Sequence, residues 1–310
     1  MNLVHVNPRG MTMRSIVSMS LLTLATLLGL PPTLTAGPQP PAGWTDGYVM
    51  ANGIRIHYWR TGGAGKPALV LAHGSSDDGL CWTNLAKEFT DRYDIIMFDA
   101  RGHGLSDPPT PNDPADVQVE DLSELIKALK LDKPILMGHS MGSASVAHFA
   151  AKYPDIPRAV ILEDPALIRP ATPPAAPGGA TATVDQRRAN LLARNNQTEA
   201  MLVANCMKNS PKWGQSECEY WAPSKRRHHP LTIRETPAAR PTMRELFEKI
   251  TAPTLILKAD AQGDVRAQNE AVARVLAKGK IVHIAGAGHN VRREGRDETI
   301  AVLRAFLMGT

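Results

Sequence analysis

The stretch Gly138-His139-Ser140-Met141-Gly142 decides how this chain is read. It follows an apolar run at 134–137 and precedes a segment, 143–152, whose apolar residues recur at helical spacing. A serine between a strand and a helix, with glycines two before and two after, sits on a sharp turn. The glycines let the two backbones approach, and the hydroxyl projects above the sheet. The helix amino terminus below it adds positive potential, which favours negative charge developing on a substrate oxygen.

The same rhythm of apolar run and helix continues on both sides of the motif. Before it come an apolar run at 68–72, helical spacing at 81–89, a second run at 94–98 and a helix over 119–129; after it comes a run at 159–162. Strands without internal polar alternation, each followed by a helix, indicate a parallel sheet covered on both faces. Residues 48–59 alternate around Asn52-Gly53, the signature of a two-residue hairpin. Beyond 162 the rhythm stops. Five prolines fall within 165–177, and 185–247 is helix-like with no convincing strand. The rhythm resumes with a run at 254–258, a helix over 265–276, a run at 281–284 and a last helix over 297–307. An insertion of this size in a doubly wound sheet reads as a cap over the carboxyl edge, where such sheets bind ligands. The expected fold class is therefore α/β, a doubly wound and mostly parallel sheet with a helical cap inserted after the sixth strand. The core takes residues 44–165 and 248–310, and the cap takes 166–247.

Serine is a poor nucleophile at neutral pH and needs a base. Of the ten histidines, His289 in Gly286-Ala287-Gly288-His289-Asn290 follows the last apolar run, where small neighbours let its ring reach across the sheet top. The order serine first, histidine last fits that assignment. His73, His103 and His139 read as structural. His73-Gly74-Ser75-Ser76 follows the first buried strand, where an oxyanion donor is expected, so the backbone N–H of Ser75 would join that of Met141.

These residues resemble the α/β-hydrolase superfamily, specifically its capped, serine-nucleophile branch, over residues 44–308. The resemblance implies Ser140 as nucleophile, His289 as base, and Ser75 and Met141 as oxyanion donors. Epoxide hydrolases and haloalkane dehalogenases of similar fold place Asp at the position of Ser140, so the serine argues against both. The acid departs from the pattern. Family members usually carry G-x-x-D after the strand matching 254–258, and here Gln262 falls where that Asp is expected. Asp260, nearest the strand end, is the first choice. Asp164, at the end of the preceding strand, is the second, since some relatives move the acid there, and Asp264 is the third. The activity implied is metal-independent hydrolysis of an ester, thioester or lactone through an acyl-enzyme, with a small-molecule substrate and no cofactor. Hydrolysis of a carbon–carbon bond in a vinylogous diketone, a haloperoxidase-like side reaction and a non-catalytic small-molecule receptor are the alternatives.

Composition bounds the remaining possibilities. With 310 residues, 43% hydrophobic and 21% charged, the chain is not disordered, collagenous or coiled coil as a whole. Its net charge of +5 comes from scattered basic residues, so no nucleic-acid partner is expected. Three cysteines are too few for a disulfide scaffold and fit no zinc pattern, so no metal site is expected. No acidic residue precedes Asp46, while Arg9 and Arg14 precede an apolar run at 16–30. That resembles a secretory signal peptide over 1–36 followed by a Pro-rich linker at 37–43. The run is short of the roughly 20 residues a membrane span needs. A secreted or periplasmic protein without a stable span after processing is expected, or else one retained by an uncleaved amino-terminal segment. Under export, Cys206 and Cys218 are candidates for a pair within the cap, which would leave Cys81 odd; the sequence leaves open whether they meet. The run Lys225-Arg226-Arg227-His228-His229 reads as the solvated end of a cap helix rather than a site for anions. Trp213, Tyr220 and Trp221 either line an apolar pocket or hold the cap together.

Overall fold

The structure, a computed structural model, describes residues 38–114, 116–168, 182–234 and 241–310. The expected amino-terminal leader and cleavage region and most of the Pro-rich run after 165 lie outside the described residues. The sheet holds β1 (Thr45–Ala51), β2 (Ile54–Arg60), β3 (Ala68–Ala72), β4 (Asp94–Phe98), β5 (Ile135–His139), β6 (Ala159–Glu163), β7 (Thr254–Lys258) and β8 (Gly279–His283). Their spatial order is β1-β2-β4-β3-β5-β6-β7-β8. The β1–β2 and β2–β4 pairs are antiparallel and all others parallel. The hairpin joining β1 and β2 turns at Asn52 (φ 48°) and Gly53 (φ 79°). Two successive positive φ values define the turn that Asn-Gly favours.

Helices α1 (Thr83–Ala86), α2 (Val117–Ala128) and α3 (Met141–Lys152) are interleaved with strands β3 to β6. After β6 come α4 (Val184–Asn195), α5 (Glu199–Asn209), α6 (Gly214–Arg226) and α7 (Met243–Phe247). Then α8 (Gly263–Ala273), α9 (Val291–Glu294) and α10 (Arg296–Leu307) alternate with or follow the last strands. Strands β3 to β6 are buried at every position. Successive residues along a strand point to opposite faces, and the core divides accordingly. Val70, Ile96, Leu136 and Val160 pack under α2 and α3 on one face. Leu71, Ile95, Met137 and Ile161 pack under α1, α9 and α10 on the other. The helix expected over 81–89 is instead a 3-10 turn, Gly79–Trp82, followed by the single turn of α1. There the Thr83 hydroxyl donates to the Leu80 carbonyl at 2.7 Å, a local bond that competes with regular helix pairing.

The cap comprises α4 to α6, tied by a disulfide between Cys206 on α5 and Cys218 on α6, while Cys81 is free and buried. Helix α7 belongs elsewhere. Met243, Leu246 and Phe247 sit in the core cluster that contains Val160 and Ile256, because the capping box of Thr242 and Glu245 starts this helix against the sheet. No helix among the described residues is long and apolar enough to cross a membrane. Phe247 is 1% exposed, so Phe247→Ala is expected to cost about 3–5 kcal/mol in urea unfolding, as for a core aromatic. An effect under about 1 kcal/mol would return α7 to the cap.

Candidate active site

Ser140 leaves β5 with φ 52° and ψ −108°, a backbone that L-residues avoid. Two glycines make the turn possible. A β-carbon at Gly142 would collide with the Ala72 carbonyl at the end of β3, and one at Gly138 would collide with the Gly142 backbone. The Ser140 N–H donates to Glu163 O at 3.0 Å, which anchors the turn to β6.

His289 reaches Ser140 from the loop after β8. Its Nε2 lies 2.9 Å from Ser140 Oγ and its Nδ1 lies 2.6 Å from Asp164 Oδ2. A carboxylate only accepts, so Nδ1 carries the proton and Nε2 is free to accept from the serine hydroxyl. The carboxylate raises the His289 pKa above its ordinary value, outweighing burial, which acts the other way. His139 fixes the loop from below: its Nε2–H donates to His289 O at 3.0 Å. Burial pushes the His139 pKa down to about 4, so the ring is neutral and its buried Nδ1 has no partner among the described residues.

Asp164 leaves β6 with φ 45° after donating its N–H to Leu257 O at 2.7 Å. Its second oxygen, Oδ1, accepts from Lys258 Nζ at 2.5 Å and from the Ala259 N–H at 3.1 Å. Burial alone would raise this carboxyl, but His289 and Lys258 hold it below its ordinary value. The carboxylate facing His289 is thus Asp164, which reverses the order expected from sequence. Asp260 turns the other way: its Oδ2 accepts from Gly286 N–H at 2.9 Å and its own N–H donates to Ala287 O at 2.8 Å. It braces the histidine loop without touching the ring. Asp264 lies exposed in the first turn of α8 and makes no bond to His289. Lys258, unmarked in the sequence, is the residue whose role only the structure reveals; its place at the last position of β7 was the available signal.

Ser140, Met141, Asp164, Lys258 and His289 open onto a cavity of about 660 Å³, whose apolar wall includes Val119 and Leu167. None of its described lining residues comes from α4 to α6. Met141 lines the cavity; Ser75 does not, but its turn abuts the serine loop, because a β-carbon on Gly74 would lie 2.5 Å from His139 Nδ1. Neither the Ser75 nor the Met141 backbone N–H has an acceptor among the described residues. Trp213 and Trp221 meet edge to face at 6.3 Å, with Arg293 over Trp213 and Lys225 over Trp221. These rings hold the cap together and stay clear of the cavity. The basic run is solvated only in part. Lys225 is 1% exposed and His228 6%, while Arg226 and Arg227 face solvent and His229 is half-buried.

A family model described as the alpha/beta hydrolase family matches residues 69–302. The chain belongs to that family. Within the chain, 98 residues are 37% identical to 2-(acetamidomethylene)succinate hydrolase of Mesorhizobium japonicum, covering 32% of the chain and 35% of that protein. A stretch of 121 residues is 33% identical to epoxide hydrolase 1 of Caenorhabditis elegans, covering 38% and 30%. The chain thus matches about a third of the length of these curated relatives. The solved structure of E-2-(acetamidomethylene)succinate hydrolase superposes with a TM-score of 0.69 at 24% identity, covering 85% of this chain and 99% of that one. That likeness is one of fold.

Asp164→Asn is expected to lower kcat by up to about 10⁴-fold with the fold retained, the loss seen when a histidine is left in the wrong tautomer. Asp260→Asn should keep turnover within about tenfold, since the amide oxygen can still accept from the Gly286 N–H and only the charge is lost. Steady-state kinetics of the two variants on one activated ester decide the matter, and the reverse ranking would return the role to Asp260.

Proposed function

We propose that the protein is a serine hydrolase that cleaves an ester, thioester or lactone through an acyl-enzyme on Ser140. The observation that carries this reading is the unbroken line from Ser140 Oγ to His289 Nε2 at 2.9 Å and from His289 Nδ1 to Asp164 at 2.6 Å, opening onto a cavity. Ser140 Oγ attacks the carbonyl carbon as its proton passes to His289. Asp164 stabilises the imidazolium that forms, and the backbone N–H groups of Ser75 and Met141 receive the oxyanion. Collapse expels the alcohol, thiol or ring oxygen with the proton from His289. Water then attacks the acyl-enzyme by the same route and releases Ser140. Opening an epoxide would instead leave an ether on serine, which water does not cleave; the carboxylate needed for an ester intermediate is absent from position 140.

The cavity falls in the range of about 300–1,000 Å³ typical of small-molecule sites, and its apolar wall suits an apolar acyl or alcohol group. The similarity to 2-(acetamidomethylene)succinate hydrolase supports adding N-acyl compounds to the substrate panel. The reading extends to location. A disulfide within the cap is of a kind that oxidising compartments maintain, and the basic and apolar leader suits export. Amino-terminal sequencing of protein from the native host should begin within residues 36–41; a full-length cytosolic chain would refute export.

A panel of activated esters, thioesters and lactones, with Ser140→Ala as the blank, tests the activity. Peptide mapping should place a fluorophosphonate adduct on Ser140. No turnover and no adduct would leave a non-catalytic receptor as the reading. The base must be neutral to act, and its pKa is raised, so it holds its proton to higher pH. On the acid side, kcat/KM should therefore rise through a half-point above the ordinary histidine value of 6.5.

A further inference from the structure

Lys225 belongs to α6 in the cap, yet its ammonium is spent on the loop that follows β3. Its Nζ donates to Ser76 O at 2.6 Å, to Ser76 Oγ at 3.2 Å and to Asp77 Oδ1 at 2.6 Å, and it lies 4.6 Å from the centre of the Trp221 ring. The side chain is 1% exposed. Burying an ammonium is costly, and neutralising Asp77 does not require this one. Arg293 already contacts Asp77 Oδ2 at 3.0 Å, with Arg292 at 3.8 Å. What Lys225 adds is a charged donor to both oxygens of Ser76; the Ser224 hydroxyl reaches only the Ser76 carbonyl, at 3.2 Å.

Ser76 is where such bonds have an effect. The Asp77 N–H donates to Gly74 O at 3.0 Å, closing a turn over Gly74–Asp77, and Ser76 is its third residue with φ 72°. That position ordinarily takes glycine. Here a serine is held in a backbone conformation it disfavours, and the peptide it shares with Asp77 is pinned through its carbonyl by two neighbours on α6, closely by Lys225 at 2.6 Å and more loosely by the Ser224 hydroxyl at 3.2 Å. The residue just before it in the same turn is Ser75, whose N–H faces no acceptor among the described residues. The turn also lies against His139, directly before Ser140.

We propose that Lys225 is a positioning residue for the oxyanion-binding turn: it holds Ser76 in its left-handed conformation and so aims the Ser75 N–H at the carbonyl under attack. This rests on the acyl-enzyme reading above. The cap then has a part in the chemical step, although none of the described residues of α4 to α6 lines the cavity. A residue acting only through the turn should affect transition-state binding and leave ground-state binding alone.

The full chain is compared with its Lys225→Met variant on one activated ester, with an alkyl boronic acid as tetrahedral analogue and the product carboxylate as ground-state ligand. Loss of one oxyanion donor lowers kcat by about 10² to 10³-fold, so the variant should lose about 10²-fold in kcat and boronate affinity together. KM and product inhibition should stay within about twofold. Adding Ser76→Gly should recover kcat to within about tenfold of the parent, because glycine holds a positive φ without the clamp. A folded Lys225→Met protein with unchanged kcat and boronate affinity would overturn the proposal, as would a loss confined to KM or the absence of rescue by glycine. If Lys225→Met lacks a cooperative melt, Lys225→Met combined with Asp77→Asn, which removes the buried charge of both partners and still leaves Ser76 without the ammonium, takes its role under the same criteria. Absence of turnover in the parent would instead overturn the acyl-enzyme reading itself.

Discussion

The close approach of α3 to the ends of β3 and β5 is the constraint on which the site depends. Gly142 lies where any β-carbon would strike the Ala72 carbonyl, and Gly138 lies where one would strike Gly142. With both glycines in place, the chain can leave β5 through the left-handed Ser140 and enter a helix within one residue. Ser140 is therefore held by backbone on three sides: by Glu163 O through its N–H, by the first turn of α3, and by β3 through Gly142. A side chain fixed in this way loses little entropy on reaching a transition state. The cost of the strained turn is met by burial of the strands around it, which are buried at every position from β3 to β6.

The carboxylate follows from the same sheet geometry. Parallel strands β5, β6 and β7 end at one edge, so the residues leaving each of them lie side by side. His289 arrives over that edge and can meet a carboxylate from either of two neighbouring strand ends. On β6 the acid is Asp164. The end of β7 supplies instead the two donors that hold it, Lys258 Nζ and the Ala259 N–H. One carboxylate oxygen is thereby committed to β7, leaving the other directed at His289. Lys258 has a second effect: its charge opposes the rise that Asp164 imposes on the histidine. One neighbour thus fixes the tautomer of the ring and the other acts against the rise.

The sheet, its hairpin and the serine turn were legible in the sequence because each is encoded locally. Runs such as 135–139 and 159–163 need no partner to be read as buried strands, and Asn52-Gly53 specifies its own turn. The choice between Asp164 and Asp260 was not local. It depends on which strand end faces His289 and on a φ of 45° at Asp164, neither of which a run of amino-acid types records. The inclusion of 243–247 in the cap went astray for a similar reason. Met243, Leu246 and Phe247 have the same spacing whether they cover a sheet or pack within a cap. The basic run at 225–229 was misread because spacing gives no hint that Asp77, well over a hundred residues earlier, lies beneath Lys225.

That last pairing shows how cap and core are joined. Helix α6 presents Glu217 to Arg293 at 3.1 Å and Lys225 to Asp77 at 2.6 Å, and Arg293 in turn reaches Asp77 at 3.0 Å. These groups are buried, so the network adds less stability than apolar side chains of the same size would provide. Its bonds are directional, however, and only one placement of α6 on the turn after β3 satisfies all of them. The disulfide to α5 closes a short loop near the start of α6, which by chain entropy alone contributes about 3 kcal/mol for a loop of this size. Covalent bracing at one end and ionic contacts along the rest give α6 a fixed seat. A cap that served only to enclose substrate would need an apolar inner surface facing the cavity. This one directs its buried charges at the turn beside the serine, so sliding α6 would disturb that turn before it altered any described wall of the cavity.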